Sequence, residues 1–187
     1  MRKLIYAINI SLDGCCDHTK FFPEEDTMEY FIQLTRDTGT FLYGRKTYEL
    51  MVPYWPDMAA NPPADERNVD IEFAKAYAAV NDIVVFSRTL DSSAGGEKTR
   101  IVSANLKEEI LKLKQEPGKD ILIGGVDLAS QLAELGLIDD YRLILHPLIV
   151  GGGRRIFDGI NLHENLRLKL VDTTAYRSGA IVLRYVK

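Results

Sequence analysis

Apolar positions fall in short runs along the first two-thirds of the chain and in alternation along the last third. Leu4-Ile5-Tyr6-Ala7-Ile8 is nearly continuous, the pattern of a strand covered on both faces, and predicts a central first strand that Ser11-Leu12-Asp13-Gly14 ends. Met28, Phe31, Ile32 and Thr35 then recur at helical spacing between Glu24 and Asp37. Runs at Thr40-Phe41-Leu42-Tyr43, Ile83-Val84-Val85-Phe86, Arg100-Ile101-Val102 and Ile121-Leu122-Ile123 predict further strands. Leu106, Ile110 and Leu113 mark one helix, and Leu128, Leu132 and Leu135 another, which Gly136 closes as a C-terminal cap. Strands alternating with helices imply parallel βαβ units.

The last third changes character. Tyr141 to Ile149, Leu166 to Val171 and Ile181 to Val186 are strand candidates without a helical pattern between them, and Arg177-Ser178-Gly179 turns the chain into the last of them. An antiparallel finish to a largely parallel sheet is the expectation. Pro53 to Asn68, with its Pro-Tyr-Trp-Pro and Asn-Pro-Pro segments, reads as the one long irregular stretch. No internal repeat breaks the order, and a single domain over residues 1–187 accounts for it.

Composition narrows the function classes. A chain of 187 residues with 46% hydrophobic and 27% charged positions is globular, and its net charge of -4 argues against a surface built to neutralise nucleic-acid phosphates. A local basic patch for one small phosphorylated molecule remains compatible with that charge. No apolar run approaches the ~18 to 20 residues that cross a bilayer, and Asn9 and Asp13 follow the first run where a cleavage pattern would stand, so a cytoplasmic location without membrane contact is expected. Adjacent Cys15 and Cys16 suit neither a structural disulfide nor a zinc site and read as reduced thiols in a loop. His18, His146 and His163 are scattered, which favours surface or satisfied structural roles and no metal.

Candidate chemistry lies where strands end. Ile123-Gly124-Gly125-Val126-Asp127-Leu128 reads as strand, two glycines, helix, a layout that lets backbone amides approach a phosphate. Gly44-Arg45-Lys46-Thr47 repeats it with two cations and a hydroxyl, and Ser87-Arg88 follows a third strand, offering a guanidinium suited to a 2′-phosphate. All three fall on the carboxyl edge of the expected sheet, where open α/β folds bind ligands. The Gly-x-Gly-x-x-Gly dinucleotide fingerprint is absent, and Gly151-Gly152-Gly153 reads as a turn bordering a site.

In order and spacing from Lys3 to Val186, these segments resemble the dihydrofolate-reductase-like superfamily. The closer similarity is to the branch of the C-terminal reductase domain of the bifunctional riboflavin-biosynthesis deaminase-reductase. The resemblance is carried by Ser11-Leu12-Asp13-Gly14, Gly44-Arg45-Lys46-Thr47-Tyr48-Glu49, Ile123-Gly124-Gly125, Asp139-Asp140-Tyr141-Arg142-Leu143, His146-Pro147-Leu148, Gly151-Gly152-Gly153 and Ile156-Phe157. It implies a three-layer αβα sandwich around a mixed, mainly parallel sheet of about eight strands with an antiparallel C-terminal strand. It also implies NADPH as cofactor, with Gly44, Arg45 and Thr47 lining its phosphates and Ser87-Arg88 facing the 2′-phosphate. Gly124 and Gly125, with the helix start from Val126 to Leu128, would hold the pyrophosphate, and Ala7 and the loop to Gly14 would lie by the nicotinamide.

For the proton donor the resemblance leaves two candidates open. Folate-type relatives carry a carboxylate early in the first helix, matched by Asp26, and riboflavin-type relatives carry a strand-end aspartate, matched by Asp13. The expected activity is hydride transfer to a small heterocycle, pterin-like or 5-amino-6-(5-phosphoribosylamino)uracil-like. A non-catalytic NADPH-binding or sensor protein on the same fold is the alternative, and relatives of this kind imply a homodimer.

Overall fold

The computed structural model describes residues 1–91, 93 and 95–187. Its strands are β1 (Leu4–Ser11), β2 (Thr38–Gly44), β3 (Asp82–Phe86), β4 (Thr99–Val102), β5 (Asp120–Gly124), β6 (Asp140–His146), β7 (Lys169–Ala175) and β8 (Ile181–Val186). The helices are α1 (Glu25–Arg36), α2 (Arg45–Ala60), α3 (Asn68–Ala78), α4 (Leu106–Gln115) and α5 (Asp127–Glu134). One eight-stranded sheet runs in the order β4-β3-β2-β5-β1-β6-β8-β7. Every neighbouring pair from β4 to β6 is parallel, while β8 runs antiparallel to both β6 and β7.

The alternation of each strand divides the core in two. Leu4 and Tyr6 of β1 join Leu42, Val84, Ile121 and Ile123 beneath Ile110, Leu113, Leu128 and Leu132 of α4 and α5. On the other face Ile5, Phe41, Tyr43, Val85 and Leu122 pack against Met28 and Ile32 of α1 and Val69, Phe73 and Tyr77 of α3. This is the three-layer, dihydrofolate-reductase-like arrangement expected from the sequence. Burying each such Leu, Ile or Phe contributes about 1.5–3 kcal/mol, which outweighs the weak helix propensity of short segments such as α5. Gly136 ends α5 as expected: at φ +64° its N–H reaches the Ala133 carbonyl and the Leu137 N–H reaches that of Leu132, closing a Schellman motif.

Two expectations are corrected. Residues Pro53 to Ala60 are the last two turns of α2, not an irregular stretch. Pro53 and Pro56 cannot donate to the carbonyls one turn back, but packing holds the helix through them. Trp55 meets the Phe73 ring edge-on at 4.6 Å, its Nε1–H points to Met51 Sδ at 3.4 Å, and Met58 is buried. The long irregular segment is instead 147–168, which contains only the isolated bridge between Arg155 and Cys15. The seventh strand also begins later than its alternation suggests. Leu166 and Leu168 pack on the α4/α5 core before pairing starts at Lys169, so their apolar spacing records burial rather than strand.

Candidate functional site

Parallel register sets the site's geometry. Gly44 pairs with Phe86, Phe86 with Val102, and Tyr43 with Gly124, so the carboxyl ends of β2, β3, β4 and β5 finish level. Beyond them opens a cavity of about 460 Å³. Gly44, Arg45, Lys46 and Thr47 line one side of it and Gly124, Gly125, Val126, Asp127 and Leu128 another, with Ser87 and Arg88 at the end of β3.

Three helices start on this cavity. α2 begins after Gly44, α4 after Asn105 and α5 after Val126, and none of these positions gives a side-chain cap to the backbone N–H groups that follow. Uncapped helix starts present N–H donors and the positive end of the helix dipole, and three of them open on one cavity, although α4 and α5 carry Glu108, Glu109 and Asp127 in their first turns. Gly124 and Gly125 let the end of β5 and the turn after it pack tightly on β2 and α2. A Cβ on Gly124 would run into the Tyr43 ring, and one on Gly125, at φ +89°, would run into Thr47 Oγ1.

Side chains complete the lining. Arg45 is tied to Glu49 Oε1 at 2.7 Å and to Thr89 Oγ1 at 3.0 Å, which pins α2 to the turn after β3. Ser87 Oγ accepts the N–H groups of Thr89 and Leu90, so its hydroxyl shapes that turn. Lys46 and Arg88 line the cavity, are exposed and have no carboxylate partner among the described residues. Asp127 carries the opposite charge at the start of α5 and is matched by Arg154 from the 147–168 segment.

The structure does not bring every expected residue here. Ile123 is fully buried in the α4/α5 core and does not line the cavity. Ala7 and Gly14 lie along and beyond β1, outside the cavity wall. Asp13 and Asp26 also lie outside it. The sequence reading omitted the end of β4, where Ser103, Ala104 and Asn105 line the cavity, although the strand-end rule applied to Arg100-Ile101-Val102 would have added them.

The Asp13 carboxylate accepts the Ser11 hydroxyl at 2.6 Å and the Val150 and Gly151 N–H groups at 3.1 and 3.0 Å. The Ser11 bond leads these in holding its pKa down to about 2. It braces the 147–168 segment against the end of β1, where Gly14 O also accepts the Ile156 N–H and Arg154 O the Cys16 N–H. Burial pushes the Asp26 carboxyl up, but Ser178 hydrogen bonds and the Arg177 charge more than offset it and leave it below its usual range. Asp26 Oδ2 accepts the Ser178 N–H at 3.0 Å, while Oδ1 is buried with no partner among the described residues. His146 is 2% exposed rather than a surface group, and burial lowers its pKa. Cys15 and Cys16 are free, and burial pushes the Cys16 thiol up to about 11, so it stays protonated at neutral pH. No cluster of three metal-ligating side chains occurs among the described residues.

Comparison with known proteins agrees with the architecture. The Bacillus subtilis (strain 168) protein YyaP, of uncharacterised function, is 31% identical over 188 residues, spanning 98% of this chain and 94% of that one. A putative riboflavin biosynthesis protein from Shewanella sp. PV-4 superposes with a TM-score of 0.72 at 18% identity, covering 100% of this chain and 98% of the other. Dihydrofolate reductase from Enterococcus faecalis, in complex with NADP(H), superposes with a TM-score of 0.63 at 16% identity, covering 98% and 95%. The family model of the RibD C-terminal domain matches residues 2–182, and the chain belongs to that family.

Proposed function

We propose that the chain is an NADPH-dependent reductase acting on a small heterocycle, pterin-like or 5-amino-6-(5-phosphoribosylamino)uracil-like. The observation that carries this reading is the cavity at four level strand ends, lined by three uncapped helix starts and by two cations with no carboxylate partner among the described residues. Membership of the RibD C-terminal domain family supports it.

NADPH supplies hydride from C4 of its nicotinamide. The N–H groups from Arg45 to Thr47 and from Val126 to Leu128 would bind the phosphates, with Gly124 and Gly125 lining the cavity between them. Lys46 and Arg88, with the Ser87 turn, receive the 2′-phosphate. Ala7 and Gly14 border the nicotinamide end. Asp13, fully engaged with Ser11, Val150 and Gly151, holds the loop there in place. Asp26, whose buried Oδ1 has no partner among the described residues, would take a water there and so stands nearer to the proton. The protein's contribution is to position two reactants and exclude water.

Calorimetry with NADPH and NADH tests the cofactor. A charge-assisted hydrogen bond is worth about 1.5–3 kcal/mol, so NADH should bind roughly 10- to 100-fold more weakly. No affinity for NADPH would end the reading. One observation favours a non-catalytic binding or sensor role: the carboxylate of Asp13, one of the two candidate proton donors, is taken up by Ser11, Val150 and Gly151 in bracing the 147–168 segment. NADPH binding without oxidation across pterins, pyrimidines, quinones and carbonyls would select that role, and turnover would exclude it.

A further inference from the structure

The central strand carries one amide among apolar neighbours. Alternation puts Ile5, Ala7 and Asn9 of β1 on the face covered by α1 to α3, so Asn9 stands about 7 Å beyond Ala7 along the strand. β6 brings His146 to it: Ser11 and His146 are register partners, and His146 Nε2 lies 2.8 Å from Asn9 Oδ1. His146 is locked there, with the Phe21 ring at 5.1 Å between centroids. Glu24 and Asp26, at the start of α1, act on it electrostatically, but burial outweighs them and lowers its pKa, which favours the neutral imidazole with one N–H. An amide oxygen only accepts, so that proton is on Nε2. That contact, with Oδ1 at Nε2, is what orients the Asn9 amide. Its oxygen faces His146, and its Nδ2–H donors, which have no acceptor among the described residues, face away from it.

We propose that His146 is a positioning residue for Asn9, and that the Asn9 Nδ2–H donors select substrates with a carbonyl oxygen near the carbon that accepts hydride. This rests on the reductase reading, which puts the nicotinamide beside Ala7. A half-buried donor pair of fixed orientation favours a C=O group and disfavours an amino group at the same place, because two opposed donors both go unpaired. Lactam-type heterocycles, a 4-oxopteridine or a pyrimidinone, meet that requirement and 4-amino analogues do not.

The probes are 6-methylpterin and 2,4-diamino-6-methylpteridine, which differ in the group at position 4. Fluorescence titration of each into NADP⁺-loaded protein gives a ratio of dissociation constants, diamino over oxo, and comparing ratios between variants cancels the probes' difference in basicity. Asn9→Leu should lower the ratio about tenfold. His146→Phe should lower it less, and His146→Gln, which restores a donor, should return it to the wild-type value. An unchanged ratio in Asn9→Leu, or binding of neither pteridine by the wild type, would overturn the proposal. Nitrogen-15 NMR of the imidazole checks the geometry without any ligand: His146 should be the Nε2–H tautomer, and the Nδ1–H tautomer would refute the orientation. Calorimetry with NADPH on each protein keeps a failure of the cofactor reading distinguishable from a failure of this one.

Discussion

Thr47 Oγ1 occupies the space that a Cβ on Gly125 would need, so the first turn of α2 and the turn after β5 interlock without room for one more carbon. Gly125 also sits at φ +89°, where a side chain is strained. Gly125→Ala is therefore expected to cost about 1–3 kcal/mol of stability and to weaken NADPH binding. Adding Thr47→Ala should recover part of the stability by removing the collision, and not all of it, because the backbone strain remains. Urea unfolding of the single and double variants measures both effects.

Arg88 and Lys46 line the cavity without a carboxylate partner among the described residues and are the residues proposed to receive the 2′-phosphate. Arg88→Gln should raise the NADPH dissociation constant about 10-fold or more and leave that for NADH nearly unchanged. Equal losses for both cofactors, measured by calorimetry, would place Arg88 away from the 2′-phosphate. Raising the salt concentration should weaken NADPH binding to the wild type more than to Arg88→Gln.

Asp13 gives a pH signature. Its folded pKa of about 2 lies below the ordinary 3.8, so its stabilising bonds are complete above the ordinary value and are lost as pH falls toward the folded one. The gap in Tm between wild type and Asp13→Asn should therefore shrink between about pH 5 and about pH 2. A constant gap across that window would show that the carboxylate charge does not hold the 147–168 segment.

The edge strand bears on assembly. All seven residues of β7 are exposed, including Leu170 and Val171, and a long exposed edge strand with apolar side chains invites pairing. Light scattering is expected to give twice the chain mass, and Leu170→Lys with Val171→Lys should give the single mass. A wild-type protein that scatters as one chain would remove the homodimer from the reading.

How much of this was legible in the sequence depended on whether local pattern and burial agreed. At β5, Ile121-Leu122-Ile123 followed by two glycines and the α5 stripe told one story at every level, and strand, turn and helix all appeared as read. At α2 they disagreed. Prolines at 53 and 56 signal a break locally, and only the distant Phe73 ring against Trp55 shows why the helix continues. Leu166 and Leu168 misled in the opposite sense, since contact with a core can space apolar residues two apart without a ladder. The site behaved likewise. Glycines and cations announced their strand ends, whereas Asn9 and His146, far apart in the chain, become a pair only through the register of β1 and β6.

The single reversed strand also dictates an order of assembly. β7 comes before β8 in the chain yet lies outside it, hydrogen-bonded to β8 and to no other strand. Until Ile181 to Val186 is in place, β7 has no neighbour to join and the flank of β6 stays open. During synthesis the parallel core can close first, while two strands' worth of pairing waits for residues 181–186 to emerge. Cutting the chain before Ile181 would therefore remove one strand and strand a second.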